Sequence, residues 1–260
     1  MNEKELLLHE LIINGKNEEA IELINDNPSL NVNYCHKDKL PIFMALNDGN
    51  YSLAEAIVKH SMFDCSTEDG FGETLLNCLI YLYQEQTKSD FDTLISANVA
   101  RLIKTLIEYH VESINLTDIT LDAPLSIACE EKSTNWLVKL LLEKDGININ
   151  AANDLCYTAL TNAIRFNNKE AIELLSKHDN LIVQKIDLKY AKENGINLKE
   201  YGLALTQNKA SKEDSKKIFK DSIVIKLQEL IDFGYGFVDS EAAQLYDEKI
   251  NTIIEAVKML

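Results

Sequence analysis

A six-residue phrase returns four times along this chain, and that return constrains the fold more than any other feature. It reads Leu40-Pro41-Ile42-Phe43-Met44-Ala45, Thr74-Leu75-Leu76-Asn77-Cys78-Leu79, Ala123-Pro124-Leu125-Ser126-Ile127-Ala128 and Thr158-Ala159-Leu160-Thr161-Asn162-Ala163. Counted from the second residue of each phrase, the steps from Pro41 to Leu75, Pro124 and Ala159 are 34, 49 and 35 residues. A period in this range marks a stacked array, whose units bury their apolar faces only against their neighbours.

The unit beginning at Ala123 shows the pattern most plainly. Pro124 suits the first turn of a helix, where its missing N–H costs nothing. Leu125, Ala128 and Cys129 form a short apolar stripe at helical spacing. Glu130-Glu131-Lys132-Ser133 breaks it, and Trp136, Leu137, Leu140 and Leu141 form a second stripe. Gly146-Ile147-Asn148-Ile149-Asn150-Ala151 then stops the helix and turns extended. Each unit therefore reads as helix, turn, helix and finger-like loop. With 9 Gly and 3 Pro among 260 residues, breaks are few, which suits an all-α chain with short connections.

These residues resemble the ankyrin repeat. The family's second helix is matched by Trp136 to Leu142, Leu53 to Val58, Leu102 to Ile107 and Ala171 to Leu175. Its loop ending is matched by Ser29 to Asn33, Val111 to Asn115 and Gly146 to Asn150. A first unit runs from Leu7-Leu8-His9 through Gly15 to Ile24, and a worn sixth begins near Leu188. The resemblance covers roughly residues 5–200. It implies an all-α ankyrin-repeat solenoid of five to six helix-turn-helix units that binds proteins without catalysis. Two departures stand out. The histidine with which the family ties neighbouring loops survives at His9, whereas Phe43, Asn77, Ser126 and Thr161 replace it elsewhere. The glycine of the finger turn survives only at Gly72, so distorted fingers are expected.

The long step places extra residues at 84–99, inside the third unit. Phe91, Leu94, Ile95, Asn98, Val99, Leu102 and Leu106 keep helical spacing through them, and Ser89 with Asp92 offers a helix cap. The insert is expected to lengthen both helices of this unit and to project as a hairpin, with a polar link at Gln84–Lys88. The array proper is assigned to residues 1–205. Residues 206–260 read as a polar linker and two amphipathic helices, either a helical cap on the array or a separate small unit. Their end, with Glu241, Asp247, Glu248, Glu255 and Met259-Leu260, also resembles a type IV secretion signal; a solvated helix face gives the same pattern.

Charge narrows the partners. There are 26 basic and 42 acidic side chains, a formal net charge of −16. The tail from 206 holds 8 Lys and 10 acids, so the array carries −14. Such a surface repels nucleic acid and anionic membranes and steers a basic protein toward itself. No run is long enough to span a membrane, and no signal peptide opens the chain. Five cysteines, odd in number and without a CxxC pair, fit reduced thiols in a cytoplasmic protein, with Cys78 and Cys129 in helical core positions.

Catalytic patterns are not found. His9-Glu10 lacks the second histidine of a zinc helix, and Gly70-Phe71-Gly72 lacks the third glycine of a nucleotide loop. His60, His110 and His178 hold matching places after the second helices, where a cation suits a helix C-terminus. No cofactor or metal is expected. Family register instead places a protein-binding face on finger tips and first-helix ends: Tyr34, His36, Lys37, Asp48, Glu68, Asp69, Phe71, Tyr81, Asp118, Glu130, Glu131, Asp154, Tyr157, Arg165 and Phe166. This acidic surface with aromatic anchors is expected to engage a protein with a basic patch, the chain acting as a monomer. A translocated bacterial effector fits, as does an inhibitor or immunity protein blocking a basic toxin or nuclease; an enzyme sited in the insert and tail is a third, lesser reading.

Overall fold

The computed structural model describes residues 3–88 and 93–205. The expected tail helices, the signal-like end and the Ser89–Asp92 cap lie outside the described residues. Five helix pairs follow one another: α1 (Glu3–Ile13) with α2 (Asn17–Asn25), α3 (Pro41–Asn47) with α4 (Tyr51–Lys59), α5 (Leu75–Lys88) with α6 (Thr93–Tyr109), α7 (Pro124–Ala128) with α8 (Asn135–Leu142), and α9 (Ala159–Arg165) with α10 (Lys169–Ser176). Then α11 (Lys185–Glu193) leads into a single 3-10 turn at Leu198–Tyr201. Among the described residues β structure is limited to isolated bridges, His36 with Lys39, Glu68 with Thr74 and Ala152 with Thr158, which close three of the fingers.

The pairs stack. In the first row α1 packs on α3, α5 on α7, α7 on α9 and α9 on α11; in the second α2 packs on α4, α4 on α6 and α8 on α10. One apolar core runs through them, with Ile12, Ala45, Leu79, Leu125 and Ala163 from the first row and Ile24, Ile57, Ile103, Leu141 and Ile172 from the second. Helix starts follow local chemistry. Pro41 and Pro124 open α3 and α7, while Asn50 and Asn168 cap α4 and α10, accepting from Leu53 N at 3.0 Å and Ala171 N at 3.3 Å.

Polar side chains bolt each unit to the next. Asn33 donates to Met62 O (2.5 Å) and accepts from Asp64 N (2.9 Å). Asn115 does the same with Gly146 O and Asn148 N, both at 2.9 Å. Asn150 repeats it with Asn180 O (2.8 Å) and Ile182 N (2.9 Å). At the matching place in the second unit stands Ser66, whose hydroxyl turns back to Asp64 at 2.6 Å. The histidine position is also reused. His9 Nε2 meets Tyr34 O at 2.7 Å, Asn77 donates to Asp122 O at 3.0 Å and Thr161 donates to Asp187 at 2.6 Å. Ser126 Oγ accepts from Asn162 at 3.0 Å. Phe43, with nothing to donate, packs half-buried on the core.

The finger turns are not distorted by their missing glycines. Gly72, Leu121 and Cys156 each stand three residues before a first helix, with φ of 80°, 64° and 62°. The turn geometry persists because the fingers are laddered, and Leu121 and Cys156 absorb the left-handed strain. At Gly72 a side chain would be crowded as well as strained, since a Cβ there would lie 3.1 Å from Ile119 Cβ, which would have to shift.

The insert lengthens both helices of the third unit as expected: α5 has 14 residues against 7 in α3, and α6 has 17 against 9 in α4. The polar link is not at Gln84–Lys88, which is helix. Nor does the end of α5 project freely. Gln84 is buried and donates to Ile127 O at 3.1 Å, Tyr83 meets the Trp136 ring edge-on at 5.5 Å, and Lys88 pairs with Glu131 at 3.1 Å. The reason lies in α7, only five residues long. Its terminal carbonyls need partners, and three units supply them: Gln84 for Ile127, Thr134 for Ala128 (2.8 Å) and Asn168 for Cys129 (3.0 Å).

Two outcomes follow for stability. Gly72→Ala is expected to cost about 1–3 kcal/mol, whereas Cys156→Gly relieves strain and raises the melting temperature; equal melting shifts in the two variants would contradict the ladder. Gln84→Leu removes one of the two donors to Ile127 O, the other being Glu130 N, and is expected to cost about 1 kcal/mol in chemical denaturation.

Candidate functional site

Three fingers share one tip design. Asp69 Oδ1 accepts from Phe71 N (2.8 Å) and Glu73 N (3.0 Å). Asp118 Oδ1 accepts from Thr120 N (2.8 Å) and Asp122 N (2.9 Å). Asn153 Oδ1 accepts from Leu155 N (3.0 Å) and Tyr157 N (2.9 Å). Main-chain bonds then join the tips, from Ile119 N to Gly72 O and from Asp154 N to Thr120 O, each 3.1 Å. This ladder sets Glu73, Asp122 and Tyr157 in one register, two residues before a first helix.

Carboxylates crowd where these fingers meet the helices. Burial, then the charge and hydrogen bond of Asp118 and the charges of Asp69 and Asp122, push Glu73 up to about 7. Burial and Asp122 do the same to Glu130, which stands at about 7 although Arg165 pulls the other way. Burial and Asp118 raise Asp122 as well. The Tyr81 phenol is driven up by burial and by Glu73, Glu130, Asp118 and Asp122. Glu73 and Glu130 therefore hold their protons to higher pH than ordinary carboxyls, and Asp122 shifts in the same direction.

Beside it lies an aromatic and cationic patch. The Arg165 guanidinium sits 4.3 Å from the Tyr157 ring centre, 5.4 Å from Phe166 and 5.7 Å from Tyr190, and Tyr157 and Tyr190 share a hydroxyl hydrogen bond of 2.9 Å. Asn162 links the two patches, donating to Glu130 at 3.0 Å and accepting from Arg165 at 3.0 Å.

The predicted residues divide accordingly. Glu68, Phe71 and Asp154 are exposed at finger tips, Phe71 at 85%. Tyr81 and Arg165 lie in first helices, Glu130, Glu131 and Phe166 just past first-helix ends, and Tyr157 two residues before one. Asp118 is a correction: it is 1% exposed and serves its own finger, with Oδ2 accepting from Asn77 at 3.2 Å, so it is no contact residue. Asp69, half-buried, does the same work in its finger. Tyr34 and His36 stack at 6.4 Å beside His9 in the first finger, with Lys37 exposed at φ 51°. Asp48 lies apart, lining a polar cleft with Asn17, Asn98 and Arg101. Glu73, Asp122 and Tyr190 were missed. For the first two a signal existed, since both stand two residues before a returning helix start.

Residues 125–175 match the family model described as ankyrin repeats (many copies). The structure is similar to an ankyrin repeat domain from Acinetobacter baumannii AYE, at 17% identity over 76% of this chain and 94% of that one, with a TM-score of 0.55. No curated protein matches the sequence. Residues 125–175 are thus ankyrin repeats, and the array as a whole has the ankyrin-repeat fold. Repeats of this kind are protein-binding modules. No helix among the described residues is long and apolar enough to cross a membrane.

The raised carboxyls carry a pH signature. The folded chain binds the Glu130 proton more tightly than a free carboxyl of pKa 4.5, so this group weakens stability as pH climbs from 4.5 toward about 7. Glu130→Gln is expected to match the parent near pH 4.5 and to exceed it above pH 7, by on the order of 1 kcal/mol after solvent screening. Thermal melts across this range read the difference, and a gain independent of pH would refute it.

Proposed function

We propose that the face built from fingers two to four and the adjoining first helices binds a protein whose contact surface is basic, without catalysis. The observation that carries this reading is the cluster of Glu73, Asp122 and Glu130, whose carboxyls are raised first by burial and then by neighbouring carboxylates, Glu73 and Glu130 to about 7. An incoming Lys or Arg relieves the repulsion among them and lets the carboxyls ionise, a gain that exists only in the complex. Phe71, Tyr81 and Phe166 stand exposed around it as apolar anchors. A phosphate-rich partner meets the opposite condition, which favours protein over nucleic acid. A stable complex would cover about 800 Å² of each partner.

The test is affinity capture by the full chain, set against a variant carrying Glu68→Lys and Asp154→Lys. These side chains are exposed, whereas Asp69 and Asp118 hold their loops and are left intact. Capture is expected to fall about tenfold or more in the variant and in raised salt. It is also expected to strengthen from pH 6 to pH 8, as the cluster loses its protons on binding. A partner retained equally by both proteins, at all salt and pH values, would remove the acidic face from the account.

A further inference from the structure

Away from the finger face, three ligand-type side chains converge where the second unit's loop meets the end of α6. They are Cys65, His110 and Glu112, whose donor atoms all lie within 4.8 Å of one another. Cys65 Sγ is 3.4 Å and His110 Nδ1 is 3.6 Å from the same Glu112 oxygen. A tetrahedral ion with bonds of about 2.3 Å to sulfur and about 2.0 Å to nitrogen and oxygen separates its ligand atoms by roughly 3.3–3.6 Å. The sulfur–oxygen edge has that length, and the nitrogen–oxygen edge lies about 0.3 Å beyond its ideal, a gap that a small side-chain shift closes.

The histidine is prepared for the role. His110 Nε2 lies 2.8 Å from Val58 O and must donate there, which leaves Nδ1 as a lone pair facing Glu112 and Cys65. Metal-bound histidines are oriented in this manner, the second ring nitrogen held by a carbonyl. The same bond speaks against a Cys–His–acid triad, because one free nitrogen cannot both take a thiol proton and donate to a carboxylate. Phe63 packs edge-on to the ring at 5.2 Å and fixes it further. Cys65 is 5% exposed while Glu112 is exposed, so an ion enters from the Glu112 side.

The set is particular to this junction. At the preceding one the corresponding residues are Val32, His60 and Met62, and at the last they are Ile149, His178 and Asn180. The histidine recurs, but thiol and carboxylate join it once. This is also the junction where Ser66 replaces the bolting asparagine. We propose that Cys65, His110 and Glu112 bind one zinc-class divalent cation, with the fourth position open to water, and that the ion clips the second and third units together. Thiolate, imidazole and carboxylate together favour Zn2+ over Mg2+ or Ca2+. Binding transfers the Cys65 thiol proton to solvent as the S–Zn bond forms.

The test uses the full chain with Cys35→Ser and Cys156→Ser, which removes the two exposed thiols. Zn2+ is titrated against a chromophoric chelator, and Co2+ serves as the spectroscopic probe. One equivalent is expected to bind, with a thiolate-to-cobalt charge-transfer band and a rise in melting temperature on adding Zn2+. Cys65→Ser is expected to abolish the band and the rise. Glu112→Gln alters an exposed side chain and leaves the fold intact; it is expected to weaken Zn2+ by at least about tenfold, the low end of what even outer-shell changes cost. Cobalt binding without a thiolate band, or zinc affinity unchanged in both variants, would overturn the proposal, since the ion would then sit elsewhere, as at His9 and His36.

Discussion

The structure depends on side chains that reach across one unit to pair with the backbone of the next. Stacked apolar stripes supply the driving force, but hydrophobic contact is not directional and tolerates sliding. The asparagines at 33, 115 and 150 remove that freedom, because each offers one donor and one acceptor to two backbone groups of the following loop. With register set, the fingers align, and the main-chain ladder from Gly72 through Ile119 and Thr120 to Asp154 becomes possible. That ladder holds Leu121 and Cys156 in left-handed backbone that isolated loops would shed.

The same alignment creates the electrostatics of the face. Glu73, Asp122 and Glu130 belong to different segments and have no reason to repel one another in an unfolded chain. Stacking brings them together around Tyr81, and partial burial removes the water that would screen them. The array thus holds charge strain in the place where its loops are best ordered, while Arg165 and its aromatic neighbours offer a different chemistry beside it. The enlarged third unit also reaches this region, since Gln84 donates to Ile127 O at the end of the five-residue helix α7.

Much of the architecture was legible. Pro41 and Pro124 announce helix starts, and the spacing of Leu137, Leu140 and Leu141 announces a buried face. The long step announces an enlarged unit. Misreadings arose where a polar residue has a partner far along the chain. Gln84 looked like a link residue because nothing nearby explains it; its partner carbonyl is Ile127, 43 residues on. Asp118 looked like a surface acid, yet its second oxygen serves Asn77, 41 residues back. Cys65 and Glu112 stand 47 apart and share no motif.

The sequence by itself determined the unit, its period, its acidity and which helices pair, since these rest on local propensity and on apolar spacing within some fifteen residues. Only the tertiary structure decided which polar groups are bolts and which are surface, and which carboxyls meet. Hydrogen-bond satisfaction and charge repulsion depend on distances between units, and a repeat sequence specifies those distances only after its neighbours have stacked.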